Sequence, residues 1–264
     1  MILKFRYASR TSQGARQYQE DTAAVWPGDS PLLPSGVPSP PDGVGLVALL
    51  ADGMGGHAGG DVASGTICAA FLRHVLEGST ASTQIRLATG LQHANAVLRR
   101  KAAADSALGG MGTTCVGLAV GQDGAHWISV GDSPLWLFRG GRLERLNDDH
   151  SLAPLLDKLA AEGKMDPDAA ANNPRRHHLR SAVTGEPLNL IDASGEPRPL
   201  AAGDLLVLAS DGVLTLSEPE IRDVILASGP DRPDAIADNL LAAVLDVGEP
   251  HQDNITLVII HAHV

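Results

Sequence analysis

Three short acidic motifs stand where runs of apolar residues end. They are Leu46-Val47-Ala48-Leu49-Leu50-Ala51-Asp52-Gly53-Met54-Gly55-Gly56, Leu205-Leu206-Val207-Leu208-Ala209-Ser210-Asp211-Gly212, and Asp253-Asn254 ahead of Ile255–Ile260. Each run has the length and branching of a buried strand, and a strand buried on both faces shows a polar side chain only where it emerges. Each therefore brings one carboxylate to a rim. Aspartates gathered there repel one another and shift each other's pKa values unless a cation sits between them. A fourth element lies near the start, where Arg16-Gln17-Tyr18-Gln19-Glu20-Asp21 sets a cation four residues ahead of paired carboxylates. The cation suits a phosphate, and the carboxylates suit metal-bound water. Only oxygen donors recur, which favours hard ions such as Mg2+ or Mn2+ over zinc.

Taken singly, each motif has an ordinary explanation. The glycines after Asp52 let the backbone approach a ligand, and the Gly53 carbonyl can itself bind a hard cation, but they equally make a turn capping the next helix. They lack the Gly-Lys-Ser/Thr of a phosphate loop. Asp211-Gly212 and Asp253-Asn254 are common turn pairs. Ser210 has no base partner and no Gly-x-Ser-x-Gly elbow, which argues against a serine hydrolase. The ten histidines are scattered. His57, His150 and His251 sit near the motifs, yet without paired spacing they read as supporting or surface residues. The conjunction of the acidic motifs is what asks for metal.

The elements that must hold these residues follow from the pattern between them. Residues 2–9 and 22–26 read as strands, the stretch from Pro27 to Gly43 as a Pro-rich loop, and 44–51 as a central strand. Helices are expected over 59–77, stopped by Gly78, and over about 81–103. The second has Ile85, Leu87, Ala88, Leu91, Ala94, Ala96 and Leu98 on its apolar side. Short strands follow at 113–120, 126–130, 135–139 and 142–146, joined by turns at Gln122-Asp123-Gly124 and Gly140-Gly141. Residues 148–185 lack a strong period beyond a short helix near 152–161, and an irregular stretch of that length is usually functional. Strands near 188–193, 204–210 and 254–263 and helices near 217–227 and 233–246 complete the chain. Helix pairs separated by runs of strands point to antiparallel sheets covered by helices, an α+β architecture in one domain.

Composition narrows the functions. The 264 residues are 44% hydrophobic and 19% charged, enough for a sizeable core, and with aromatics at 3% that core must be aliphatic. A net charge of −11 without a basic run argues against nucleic acid or an anionic membrane as partner, and so against a nuclease. Cys68 and Cys115 lack metal-ligand spacing and read as buried free thiols in a reducing cytoplasm. No stretch approaches 18 apolar residues, and the start, with Lys4 and Arg6, has no apolar core of a signal peptide.

With these residues in view, the chain resembles the metal-dependent serine/threonine protein phosphatases of the protein phosphatase 2C type, in their bacterial form. The family's motifs recur in order. They stand as Arg16-Gln17-Tyr18-Gln19-Glu20-Asp21, Asp52-Gly53-Met54-Gly55-Gly56, Gly112-Thr113-Thr114, Gly131-Asp132-Ser133, Asp149-His150-Ser151, Ser210-Asp211-Gly212 and Asp253-Asn254. The match runs from about residue 5 to residue 260. It implies a four-layer αββα sandwich, two antiparallel sheets face to face with helix pairs outside, and a substrate-facing flap over about 148–185.

The resemblance also implies roles. Asp52 would bridge two metal ions with the Gly53 carbonyl on one, and Asp211 and Asp253 would bind the other. Glu20 and Asp21 would act mostly through metal-bound water, and Asp132 would help hold a weaker third ion. Arg16 would grip the substrate phosphate. In that reading a hydroxide bridging two Mn2+ or Mg2+ ions attacks phosphoserine or phosphothreonine on proteins, with Arg16, Asp52 and Asp211 as the catalytic core and no covalent phosphoenzyme. A cognate serine/threonine kinase would oppose it, and the chain would act as a cytoplasmic monomer. Two departures stand out. Gln19 replaces the usual asparagine, a change expected to alter only local hydrogen bonds. Met54 stands where eukaryotic relatives carry a histidine proposed as general acid, which removes a protonating side chain without removing activity. The other reading of the resemblance is a catalytically weak or inactive scaffold that binds phosphoproteins, although such proteins usually lose metal carboxylates that this chain keeps.

Overall fold

The apolar runs become central strands whose alternate side chains enter two different cores. The computed structural model describes residues 2–28, 43–55, 59–77 and 82–264. Its strands are β1 (Lys4–Ser12), β2 (Thr22–Trp26), β3 (Val44–Ala51), β4 (Gly53–Met54), β5 (Gly112–Thr113), β6 (Cys115–Gly121), β7 (Ala125–Val130), β8 (Leu135–Arg139), β9 (Arg142–Arg145), β10 (Asp192–Ala193), β11 (Leu205–Ala209) and β12 (Ile255–His263). The helices are α1 (Gly60–Leu76), α2 (Thr83–Ala104), α3 (Ala153–Ala161), α4 (Pro167–Ala171), α5 (Glu218–Ser228) and α6 (Pro233–Asp246).

Two five-stranded antiparallel sheets run in the orders β1-β12-β11-β8-β9 and β10-β7-β6-β3-β2. On β3, Leu46, Ala48 and Leu50 join Leu206, Leu208, Val258 and Ile260 between the sheets. Their neighbours Val47, Leu49 and Ala51 pack outward on Ile67, Phe71, Leu91 and Leu98 of α1 and α2. Likewise Val207, Leu257 and Ile259 pack outward against Ile221, Ile225, Ile236 and Leu240 of α5 and α6. This is the αββα sandwich. Each fully buried aliphatic side chain stabilises it by about 1.5–3 kcal/mol, so a run without polar breaks is what a strand covered on both faces requires. The Ser217/Glu220 capping box starts α5.

Several boundaries differ from the sequence expectation. β1 continues to Ser12 because Arg10, Thr11 and Ser12 pair with Leu257, Thr256 and Ile255. The strand expected at 113–120 is cut at Thr114, and Gly112–Thr113 pairs instead with Gly53–Met54 in a separate two-stranded sheet. The strand expected at 188–193 shrinks to Asp192–Ala193, because upstream backbone groups bond side chains: Leu190 is held on both sides by Ser181 Oγ. A second short helix, α4, follows α3 within the irregular stretch. Ile85 is 54% exposed. It lies about 200° around the helix from Leu87 at 100° per residue, whereas Leu87, Leu91, Ala94 and Leu98 share the buried face. Cys68 and Cys115 are buried free thiols. No helix among the described residues is long and apolar enough to cross a membrane. The Pro-rich loop, Gly56, His57 and the Gly78 stop lie within or largely within 29–42, 56–58 and 78–81, outside the described residues.

Candidate active site

Each acidic residue sits where its strand ends, and hydrogen bonds fix the backbone beneath it. Asp52 follows β3. Its N–H donates to Thr114 Oγ1 (3.0 Å), and its carbonyl accepts from the Thr114 N–H and the Thr113 hydroxyl, both at 2.8 Å. Thr113 in turn exchanges two backbone hydrogen bonds with Val183, at 3.0 and 2.9 Å. Asp132 lies between Gly131, whose N–H donates to His150 Nδ1 (3.2 Å), and Ser133, which bonds Thr114 (2.8 Å). Asp211 opens the 3-10 turn after β11. Gln252 Nε2 holds that turn by donating to the Gly212 carbonyl at 3.0 Å.

The segment carrying Arg16, Glu20 and Asp21 is tied down by side chains. Gln19 Nε2 donates to Thr11 Oγ1 (2.6 Å) and the Ser12 carbonyl (3.1 Å), while its Oε1 accepts the Asp21 N–H at 3.0 Å. The glutamine at 19 thus forms a local clamp, as its polar character allows. Glu20 leans on the start of α1, where a Cβ at Gly60 would run into its carboxylate. The Ser64 hydroxyl donates to the Glu20 carbonyl at 2.6 Å.

Together these carboxylates make an electrostatic problem. Burial raises Asp52 well above the usual carboxylate range, and the charges of Asp211, Asp21, Asp132 and Asp253 push it further. Asp132 is lifted to about 7 by burial and by Asp211 and Asp149, with Arg145 opposing. Burial brings Asp21 to about 6 against the pull of the Ser210 and Thr256 hydroxyls, with Asp211 and Asp253 adding to the rise. Ser210 Oγ accepts the Thr256 N–H (2.9 Å) and donates to the Asn254 carbonyl (3.4 Å), while Thr256 Oγ1 shares a hydrogen bond with Thr11 Oγ1 (3.1 Å). Neither oxygen of Asp21 makes a hydrogen bond, although the residue is buried. Asp211 is raised by burial and by Asp253, while a hydrogen bond with Asp52 and the charges of His177 and Arg16 hold it back.

A set of carboxylates and carbonyls without soft or nitrogen donors fits Mg2+ or Mn2+. The orphaned oxygens of Asp21 are what such a site leaves open. Among the described residues, no three His, Cys, Asp or Glu side chains are drawn into a ready-made cage for an ion. Instead Arg16 Nη2 reaches across to Asp253 Oδ2 at 2.6 Å.

The acids line a cleft of about 530 Å3 with Arg16, Glu20, Gly53 and Met54 on its walls. A second recess of about 390 Å3 shares Asp132, Asp211 and Asp253 with it and adds Asp149, Arg176 and His251. The structure therefore brings Arg16, Glu20, Asp52, Gly53, Asp132, Asp211 and Asp253 to one opening, with Asp21 buried behind it. Residues 148–185 leave and rejoin the body beside that opening. Their base is pinched by the Leu152 N–H to His178 carbonyl bond (3.0 Å) and the Arg180 N–H to His150 carbonyl bond (2.8 Å). This places His177 in both recesses.

Spacing marks neither His177, which lies in the irregular stretch, nor Asn254 as a clamp. Asn254 accepts the Glu20 N–H at 2.8 Å and donates to the carbonyls of Gln13 and Tyr18 at 2.9 and 3.0 Å. The position of Asn254 beside a rim aspartate was the available signal.

A family profile described as "Protein phosphatase 2C" matches residues 40–225. The serine/threonine protein phosphatase PstP of Mycobacterium tuberculosis H37Rv is 30% identical over 263 residues, covering 98% of this chain and 45% of that protein. The chain thus spans about half the length of that curated relative. The crystal structure of the M. tuberculosis serine/threonine phosphatase PstP/Ppp aligns with a TM-score of 0.78 at 27% identity, covering 100% of both chains. A structure of the PstP catalytic domain in complex with 2 manganese ions gives a TM-score of 0.74 at 28% identity, over 99% of this chain and 100% of that one.

Proposed function

This chain belongs to the protein phosphatase 2C family, and we propose that it hydrolyses phosphoserine and phosphothreonine on proteins with two Mn2+ or Mg2+ ions. The observation that carries this reading is the convergence of Asp21, Asp52, Asp132 and Asp211, with pKa values raised by burial and by one another's charge. Each raised carboxylate weakens the fold near neutral pH, so such a cluster makes sense as a ligand set.

Asp52 and the Gly53 carbonyl would hold one ion and Asp211 and Asp253 the other, with Asp52 between them. Glu20 and Asp21 would hold coordinated water, and Asp132, beside Asp211, would share a third ion. Bound divalent ions supply an acidified water and neutralise charge on the transferring phosphoryl group. Arg16 contributes charge-assisted hydrogen bonds to the non-bridging phosphate oxygens and so fixes the line of attack. The Thr113 and Thr114 bonds hold the Asp52 backbone still. Met54 cannot donate a proton, so residue 54 does not protonate the leaving group. Residues 148–185 act as the flap, presenting His177 and its neighbours to the phosphopeptide. The chain works as one catalytic unit and as a cytoplasmic monomer, opposing a serine/threonine kinase.

The test is turnover of p-nitrophenyl phosphate and a phosphothreonine peptide. We expect hydrolysis in Mn2+, none in excess EDTA, and recovery when Mn2+ is restored. Undiminished hydrolysis in EDTA would overturn the reading.

A further inference from the structure

Two segments with separate parts in the proposed chemistry are fastened to each other. The turn after β1 crosses the start of β12. There the Ala15 N–H donates to the Gln252 carbonyl at 2.8 Å, and Asn254 binds the carbonyls of Gln13 and Tyr18. Gly14, at φ +60°, lies so close on Asp253 that a Cβ there would overlap the Asp253 carbonyl. The backbone of Arg16 is thereby fixed beside Asp253. Its guanidinium is free to choose its partner, since the Arg16 side chain is 56% exposed and that of Asp253 39% exposed. The Asp253 oxygens are divided: Oδ1 accepts the Asn254 N–H at 2.8 Å, and Oδ2 accepts Arg16 Nη2 at 2.6 Å.

We propose that Arg16 and a divalent ion compete for Asp253, so that Arg16 sets the metal affinity of the site and turns more readily to phosphate once the ion takes the carboxylate. The inference rests on the metal-dependent reading above. An ion approaching Oδ2 meets a guanidinium charge and an occupied lone pair at once. Asp21, whose oxygens have no partner, presents no such barrier. Displacement couples the binding of metal to that of phosphate. Linkage makes the effect reciprocal, because an oxyanion that draws Arg16 off Asp253 tightens the ion by the same factor.

The experiment is calorimetric titration of Mn2+ into the wild type, Arg16→Gln and Arg176→Gln, each without phosphate and with inorganic phosphate. Arg176 carries the same charge and lines the neighbouring recess, but it is paired with Asp157 at 2.7 and 2.8 Å. Arg16→Gln should tighten Mn2+ by about three- to fivefold, the scale of a half-exposed ion pair, and Arg176→Gln should move it much less. Phosphate should tighten Mn2+ more in the wild type than in Arg16→Gln. Equal Mn2+ affinity in wild type and Arg16→Gln would overturn the competition while leaving the metal site standing. An equal gain in Arg176→Gln would reduce it to a general field and overturn it too. A wild type that takes up no Mn2+ would instead sink the metal-dependent reading, and the competition with it.

Discussion

Asp204 and Asp21 are both buried acids, 3% and 8% exposed, and the fold treats them in opposite ways. Asp204 receives both arms of Arg139, at 2.8 and 2.5 Å, and the Ala201 N–H at 2.6 Å. Among the described residues, Asp21 has no cation and no backbone donor, only the Ser210 and Thr256 hydroxyls nearby. An acid that serves the fold comes with its own cation and donors, because a buried charge left alone is costly. Asp21 has no such cation, and on the metal-dependent reading the chain bears that cost until an ion arrives.

The comparison breaks most visibly at the centre of the cluster. Asp52→Asn should lower kcat on p-nitrophenyl phosphate by about 10²- to 10³-fold, the scale of one preorganised electrostatic group, with an unchanged circular dichroism spectrum. Near-wild-type turnover would remove Asp52 from the ligand class. Next come the two acids themselves, compared by urea unfolding after metal has been chelated. Asp204→Asn should destabilise by about 2 kcal/mol, since a charged hydrogen-bond pair is lost while the half-exposed Arg139 regains water. Asp21→Asn should stabilise by about 1 kcal/mol at pH 8, and it should weaken Mn2+ binding by about 10- to 100-fold. Losses of equal size in both variants would erase the distinction.

A third measurement uses pH. Asp132 and Asp21 have folded pKa values of about 7 and about 6, above the unfolded value near 3.9. Between those limits the folded chain binds more protons than the unfolded one, so stability falls as pH rises through the folded values. Chelated protein should therefore gain about 1–2 kcal/mol between pH 8 and pH 6, and saturating Mn2+ should flatten or reverse that slope. A chelated protein that loses stability over the same range would show that these acids are already compensated. The smallest effect is expected at the clamp. Gln19→Asn restores the family's usual residue, yet the shorter side chain cannot span Thr11, Ser12 and the Asp21 N–H, and about 0.5–1 kcal/mol should be lost.

What the sequence made legible were features written in consecutive residues. Alternate positions of 46–51 and 255–260 enter two cores, and an unbroken apolar run is the local signature of that burial. The aspartates at the ends of those runs were legible for the same reason. Pairings across long separations were not. Arg16 and Asp253 are 237 residues apart, and Arg139 and Asp204 are 65 apart; nothing in either neighbourhood marks its partner. Periodicity also misleads at Ile85, whose apolar side chain lies off the buried face of its helix. The short β4–β5 sheet escaped notice because two-residue strands have no period to detect.

The bridge between Val183 and Thr113 joins the last residues of the outermost excursion to the threonine whose hydroxyl supports the Asp52 carbonyl. One threonine thus anchors both the return of that segment to the body and the peptide that carries Asp52.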